Sequence, residues 1–234
     1  MDKIKIAYDD NLGLPADFVE WVGCDIVSYH DLSEMTHVFE DDSVYGMFIP
    51  AGTLPYLQNY EIISQALFGS ENKTTLQSNF VSTNNIILTD FDHQVLGRVN
   101  QYCTTSFWAP LIYLKQFLPK DTTLNFKNTN GFADMLHKAA MEEIDGAMVW
   151  DIILQQRPQD AAKVQPLFNK SDLPTPVIVI RKGSDDSIKD KINTFITSDK
   201  KAFFNGFRAP EVKPLDQFVF DMKAAQAYFH ILQK

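Results

Sequence analysis

The sequence predicts an α/β protein with largely parallel sheets. Strand-like and helix-like segments alternate through most of the chain, the order in which βαβ units are written. No repeat, low-complexity segment or obvious linker interrupts that order. Two long extended stretches, Thr75–Leu88 and Pro176–Arg181, bracket the middle of the chain as paired crossings between two lobes would.

The elements follow in order. Lys3–Tyr8 alternates apolar and polar residues and opens the chain as a strand. Asp25–Tyr29, Val44–Ile49, Glu61–Leu67, Thr75–Ser82 and Gly97–Tyr102 are further strands of the amino-terminal half. Pro15–Val22 and Leu32–Glu40 are its helices. Phe107–Leu118 is a helix in which Pro110 sits in the first turn, where proline is tolerated. Leu124–Phe126 is a short apolar strand, and Gly131–Glu143 a helix with Phe132, Met135, Leu136 and Ala139 on one face at i, i+3, i+4 and i+7. That helix stops near Asp145-Gly146 and runs into Ala147–Trp150, a buried strand ending in an aromatic residue and the carboxylate of Asp151. Pro176–Arg181 is the last strand, with helices at Ser187–Ser198 and Leu215–Leu232.

The most informative stretch is Arg98 to Pro110, where a strand delivers the hydroxyls of Thr104, Thr105 and Ser106 to a new helix. First-turn N–H groups have no partner within their helix, and the macrodipole adds partial positive charge at the same end. Such a turn accepts an anion. Its plainer reading is a well-capped helix, since hydroxyl caps are common. A second helix start of this kind stands at Thr129-Asn130-Gly131, again after an apolar strand.

Composition narrows the function. The chain has 234 residues, 45% of them hydrophobic and 22% charged, which suits one large globular domain or two small lobes. Lys plus Arg number 21 against 30 Asp plus Glu, a formal charge of −9, and basic residues cluster no further than pairs such as Arg181-Lys182. Nucleic acid is therefore not an expected partner. An anionic ligand would have to be held locally, by dipoles and hydroxyls.

Cys24 and Cys103 stand outside any zinc spacing, and His30, His37, His93, His137 and His230 form no H-x-x-x-H pair, so no metal or cofactor is expected. One disulfide and two reduced thiols both fit the cysteines. No run approaches the roughly 20 apolar residues of a membrane span. The start at Met1 carries no leader as written, which fits either a cytoplasmic chain or an envelope protein whose leader has been removed.

The order of these segments resembles the type 2 periplasmic-binding-protein superfamily, and more narrowly the phosphonate/phosphate-type solute-binding proteins of ABC transporters. The resemblance spans nearly the whole chain. It rests on the opening Ile-Ala-Tyr strand, the Ile49-Pro50-Ala51-Gly52 loop, the Thr104-Thr105-Ser106 turn before a proline-containing helix, the Gly131–Trp150 unit and the return segment Pro174–Arg181. It implies two lobes joined by two strand crossings, residues 1–82 plus 182–234 and residues 83–181, with a ligand cleft between them. It also implies a monomer that binds a small anionic or zwitterionic ligand and passes it to an ABC permease.

Carried over residue by residue, Thr104, Thr105 and Ser106 match the turn that grips the anionic head group. Asn130 stands where the family usually has histidine, a departure that weakens the phosphonate assignment. Trp150 and Asp151 fall where the family often places a carboxylate facing a ligand amine. Tyr8 and Ala51-Gly52 would come from the first lobe. Plainer readings stand beside these: an edge-of-core aromatic for Tyr8, a tight turn for Ala51-Gly52, core for Trp150 and a helix cap for Asp151.

No nucleophile elbow, zinc-protease, phosphate-loop or dinucleotide motif occurs. The expected function is non-catalytic solute binding. The alternatives are a cytosolic enzyme of the same fold acting on a small carboxylate or cofactor precursor, with Asp151 or Asp145 as base and Thr105-Ser106 holding the substrate anion, and a sensor or binding domain without a permease.

Overall fold

The computed structural model describes residues 4–9, 12–29, 35–41, 43–83, 86–183, 188–200 and 202–233. Lys3, His30, Ser187 and residues 32–34 of the second expected helix lie outside them. The chain forms two compact units, residues 1–75 with 174–215 and residues 76–173 with 216–234.

The first unit is a six-stranded sheet built from β1 (Lys5–Asp9), β2 (Asp25–Tyr29), β3 (Gly46–Ile49), β4 (Tyr60–Phe68), β10 (Val177–Arg181) and β11 (Phe204–Arg208). Its order is β11-β4-β10-β3-β1-β2, with β3, β1 and β2 parallel and the remaining pairs antiparallel. Helices α1 (Ala16–Val22), α2 (Met35–Glu40) and α7 (Lys189–Asn193) connect the strands. Gly23 ends α1 in the left-handed conformation, φ 75°, which glycine adopts without a Cβ penalty. Phe18 of α1 lies edge-on to Phe195 and Phe207, with ring centres 5.3 and 5.0 Å away. Phe48 of β3 meets Phe207 at 5.4 Å and Phe204 at 5.8 Å, so interlocking aromatic rings fill this core.

The second unit is also a six-stranded sheet, formed by β5 (Thr75–Ser82), β6 (Val95–Arg98), β7 (Thr123–Asn128), β8 (Gly146–Trp150), β9 (Gln165–Pro174) and β12 (His230–Gln233). Its order is β12-β7-β6-β8-β5-β9. β12, β7, β6 and β8 run parallel, and β5 runs antiparallel to β8. On one face, α4 (Phe132–Ala140) sets Met135, Leu136, Ala139 and Ala140 against Val81, Ala147 and Val149. Gly97 makes this close approach possible: a Cβ there would stand 2.5 Å from Ile144 Cδ1 and 2.7 Å from Met135 Cγ. The remaining helices are α3 (Ala109–Leu114), α5 (Asp151–Gln156), α6 (Pro158–Ala161) and α8 (Val212–Gln226).

The division differs from the expected lobes in three places. β5 belongs to the second unit because it pairs with β8, and β10 belongs to the first because it pairs with β3 and β4. Residues 216–234 belong to the second because β12 completes its sheet beside β7. The chain therefore passes between units three times, not twice, the third passage falling within α8. The expected strand Gly97–Tyr102 begins and ends earlier, at Val95–Arg98, since the side chain of Asn100 accepts the Tyr102 N–H (2.9 Å) and turns the backbone out of the sheet. Neither Cys24 nor Cys103 is in a disulfide.

Candidate functional site

Three parallel strands of the second unit bring most of the candidate residues to one sheet edge. β6 lies between β7 and β8, so the step from β6 to β7 and the step from β7 to β8 lead to opposite sides of β6. A crevice at the carboxyl ends of strands beside such a switch point is where open α/β sheets bind ligands. The carboxyl end of β6 leads to Thr104-Thr105-Ser106, that of β7 to Asn130-Gly131, and that of β8 to Trp150-Asp151.

The hydroxyl turn has an unusual backbone. Trp108 N–H donates to Cys103 O at 3.2 Å and Ala109 N–H to Thr104 O, both five residues back, so Thr104–Trp108 is one wide π-type turn opening into α3. Pro110 has no N–H to place in a four-residue ladder, which lowers the cost of the wider register here. Single π turns of this kind occur frequently at functional sites. Ser106 fixes the turn to the strand: its Oγ accepts the Val99 N–H at 2.9 Å while its own N–H donates to Cys103 Sγ at 3.3 Å. Thr105 Oγ1 accepts from the indole Nε1 of Trp150 at 2.8 Å. Thr104, Thr105 and Ser106 are all buried.

Trp150 and Asp151 each have a further neighbour that the sequence did not place at the site. The Phe132 ring lies 4.3 Å from that of Trp150, and Asn79 Nδ2 on β5 donates to Asp151 Oδ1. Asn79 in turn accepts from Asn169 Nδ2 at 3.0 Å. Asn130 is exposed, its N–H donating to the Asp134 carboxylate at 2.8 Å. Lys138 Nζ donates to the same carboxylate at 2.6 Å, and together these hold Asp134 below the ordinary carboxylate range.

A third residue was also missed. Arg98, the last residue of β6, is 4% exposed. Its Nε donates to Asn128 Oδ1 at 2.8 Å and its guanidinium lies over the rings of Phe107 and Phe126, 5.3 and 5.7 Å from their centres. Burial pushes the guanidinium below the ordinary arginine value. Its backbone joins both turns: the Arg98 carbonyl accepts from Thr129 N–H at 2.8 Å and from Thr129 Oγ1 at 3.1 Å, and the next amide is the one that Ser106 accepts. A single arginine in an apolar strand, six residues before a hydroxyl turn, is the sequence signal that could have found it.

The other candidates belong to the first unit. Tyr8 pairs with Phe48 in β3 and with Ser28 in β2, near the carboxyl end of β1. Ala51 and Gly52 are buried in the first turn of a 3-10 helix, Ala51–Tyr56, which follows β3 directly. Thr53 Oγ1 closes that turn on Pro50 O at 2.6 Å.

One alternative assignment is corrected. Asp145 lies at the opposite end of the strands from Thr105-Ser106: its carboxylate accepts the Val95 N–H at 2.6 Å, where β6 begins. It cannot act as a base on an anion held by those hydroxyls. Among the described residues, no group of three or more His, Cys, Asp or Glu side chains could hold a metal ion. No helix of the described residues is long and apolar enough to cross a membrane.

No protein-family model matches the chain, and no curated protein sequence matches it either. Solved structures do. A protein from Xanthomonas citri, solved bound to ATP, superposes with a TM-score of 0.76 at 12% identity, covering 96% of this chain and 98% of that one. PhnD1 from Prochlorococcus marinus in complex with methylphosphonate gives 0.68 at 11% identity, covering 96% and 98%. The binding-protein component of an ABC phosphonate transporter from Pseudomonas aeruginosa gives 0.67 at 13% identity, covering 96% and 88%. The chain has the periplasmic-binding-protein fold. Identities of this size speak to the fold alone.

Proposed function

We propose that this protein is a non-catalytic solute-binding protein that captures a small anionic or zwitterionic ligand of the phosphonate/phosphate class. The anion is received by the hydroxyls of Thr104, Thr105 and Ser106, with Asn130, Trp150 and Asp151 beside it. The observation that supports this most is the convergence of three parallel strand ends on that turn, tied by the Trp150–Thr105 hydrogen bond. Aromatic walls with a few placed polar groups are what small-molecule sites contain. Asn79 donates to Asp151, and in this reading the Asp151 carboxylate meets the cationic end of a zwitterion. In the first unit, Tyr8, Ala51 and Gly52 form that unit's own candidate contact edge. Delivery to an ABC permease from a periplasmic or cell-envelope location belongs to the same reading, as does a monomeric state.

Native mass spectrometry of the purified protein, followed by thermal-shift screening with phosphate, methylphosphonate and small carboxylates, tests it. A stoichiometric bound anion, or stabilisation by phosphate or methylphosphonate, supports the reading. A protein that purifies empty and responds to none of these anions contradicts it.

A further inference from the structure

Buried polar atoms are almost always hydrogen-bonded, and those that are not call for a reason. Around the hydroxyl turn stand three that have no partner among the described residues: Ser78 Oγ, Arg98 Nη1 and Trp108 Nε1. Trp108 is in the turn itself. Ser78 is paired in register with Trp150, whose indole reaches Thr105. Arg98 ends β6, with its guanidinium over the ring of Phe107 of the same turn.

Arg98 is the decisive one, because it carries a charge. An arginine stays protonated in proteins, and an isolated buried charge is expensive unless it is paired. No carboxylate of the described residues forms an ion pair with Arg98, and the one cause of its lowered pKa is burial, with no acidic neighbour contributing. Asn128 gives one neutral acceptor, and the Phe107 and Phe126 rings give the partial attraction of cation–π contacts. Neither supplies a negative charge. The whole chain has nine more acidic than basic charges, so the fold did not lack carboxylates to place there.

We infer that Arg98 is the cationic binding residue of the anion site, and that the ligand's anionic group is the counter-charge its guanidinium lacks. This rests on the function proposed above and narrows it: the ligand must carry a full negative charge at the end held by the Thr104–Ser106 turn. Binding then offsets the unfavourable burial of Arg98, so the anion stabilises the protein through a charge-assisted contact in a water-poor setting.

The test compares wild type, Arg98→Met and Arg98→Lys by calorimetric titration with methylphosphonate and inorganic phosphate, and by thermal unfolding without ligand. Met matches the length of the apolar stem, and the exposed Asn128 amide can turn to water. The expected results are a loss of roughly 10- to 100-fold in affinity for Arg98→Met, as for removal of a charge-assisted hydrogen bond, and a smaller loss for Arg98→Lys, which keeps the charge without the planar fork. The ligand-free Arg98→Met protein should be at least as stable as wild type, because an unpaired buried charge has gone. A purely structural arginine would give the reverse, an unstable Arg98→Met protein with the affinity of its folded fraction unchanged. Wild-type binding with unchanged affinity in Arg98→Lys and Arg98→Met overturns the Arg98 assignment alone. Absence of binding by wild type overturns the proposed function as well.

Discussion

The indole N–H of Trp150 and the hydroxyl of Thr105 are joined at 2.8 Å, so the end of β8 and the turn that follows β6 are one construction. Thr105 is 1% exposed, so this bond is made out of reach of bulk water. Trp150→Phe keeps a ring against Phe132 but removes the donor. The expected cost is about 0.5–1.5 kcal/mol, the usual net value of such a bond, measured by urea denaturation.

Ser106 is a fixing residue as well as a candidate ligand contact. Ser106→Ala removes the acceptor of the Val99 N–H, 2.9 Å away, at a fully buried position. Destabilisation of about 1–3 kcal/mol should follow, the range for leaving a buried partner unsatisfied. Thr105→Val, similar in shape, should destabilise less and act mainly on ligand affinity. Denaturant midpoints of the two variants measured side by side check this ordering.

Gly97→Ala puts a methyl group 2.5 Å from Ile144 Cδ1 and 2.7 Å from Met135 Cγ. Overpacking of this kind costs about 1–3 kcal/mol. Because the buried side chains of Met135 and Ile144 must shift to make room, the midpoint of thermal unfolding should fall in this variant, and an unchanged midpoint would show that they repack without cost.

Asp134 gives a pH signature. Lys138 chiefly, with the Asn130 N–H, lowers its folded-state pKa below the unfolded value. A group depressed in this way contributes stability that is present above the unfolded carboxylate pKa of about 3.9 and is lost as pH falls through the folded pKa. Wild type should therefore lose more stability than Asp134→Asn between neutral pH and pH about 3. Unfolding curves at the two pH values measure the difference, and equal losses would contradict the assigned interaction.

Much of this was legible in the sequence because local pattern and tertiary role coincided. Asp25–Tyr29 and Thr75–Ser82 have the limits expected of them, and Ala147–Trp150 gains one residue, Gly146. The hydroxyl turn could be read because Pro110 and three consecutive hydroxyls mark a helix start in any context. Three strands were missed. Gln165–Pro174 lacks apolar alternation, Phe204–Arg208 contains a glycine at its centre, and His230–Gln233 continues an apolar pattern that resembled the preceding helix. β12 is a strand because β7 offers it an open edge, which is a tertiary fact. The same holds for Asn79: what distinguishes it is the company it keeps across the sheet, and one sequence does not state it.

Calorimetric titration of wild type and Thr105→Val with methylphosphonate decides whether the Thr104–Ser106 turn receives an anion. Saturable one-to-one binding is expected for wild type, with an affinity at least about tenfold lower in Thr105→Val, as loss of one well-placed hydrogen bond gives. Equal affinities in the two proteins, or no heat of binding in wild type, would contradict it.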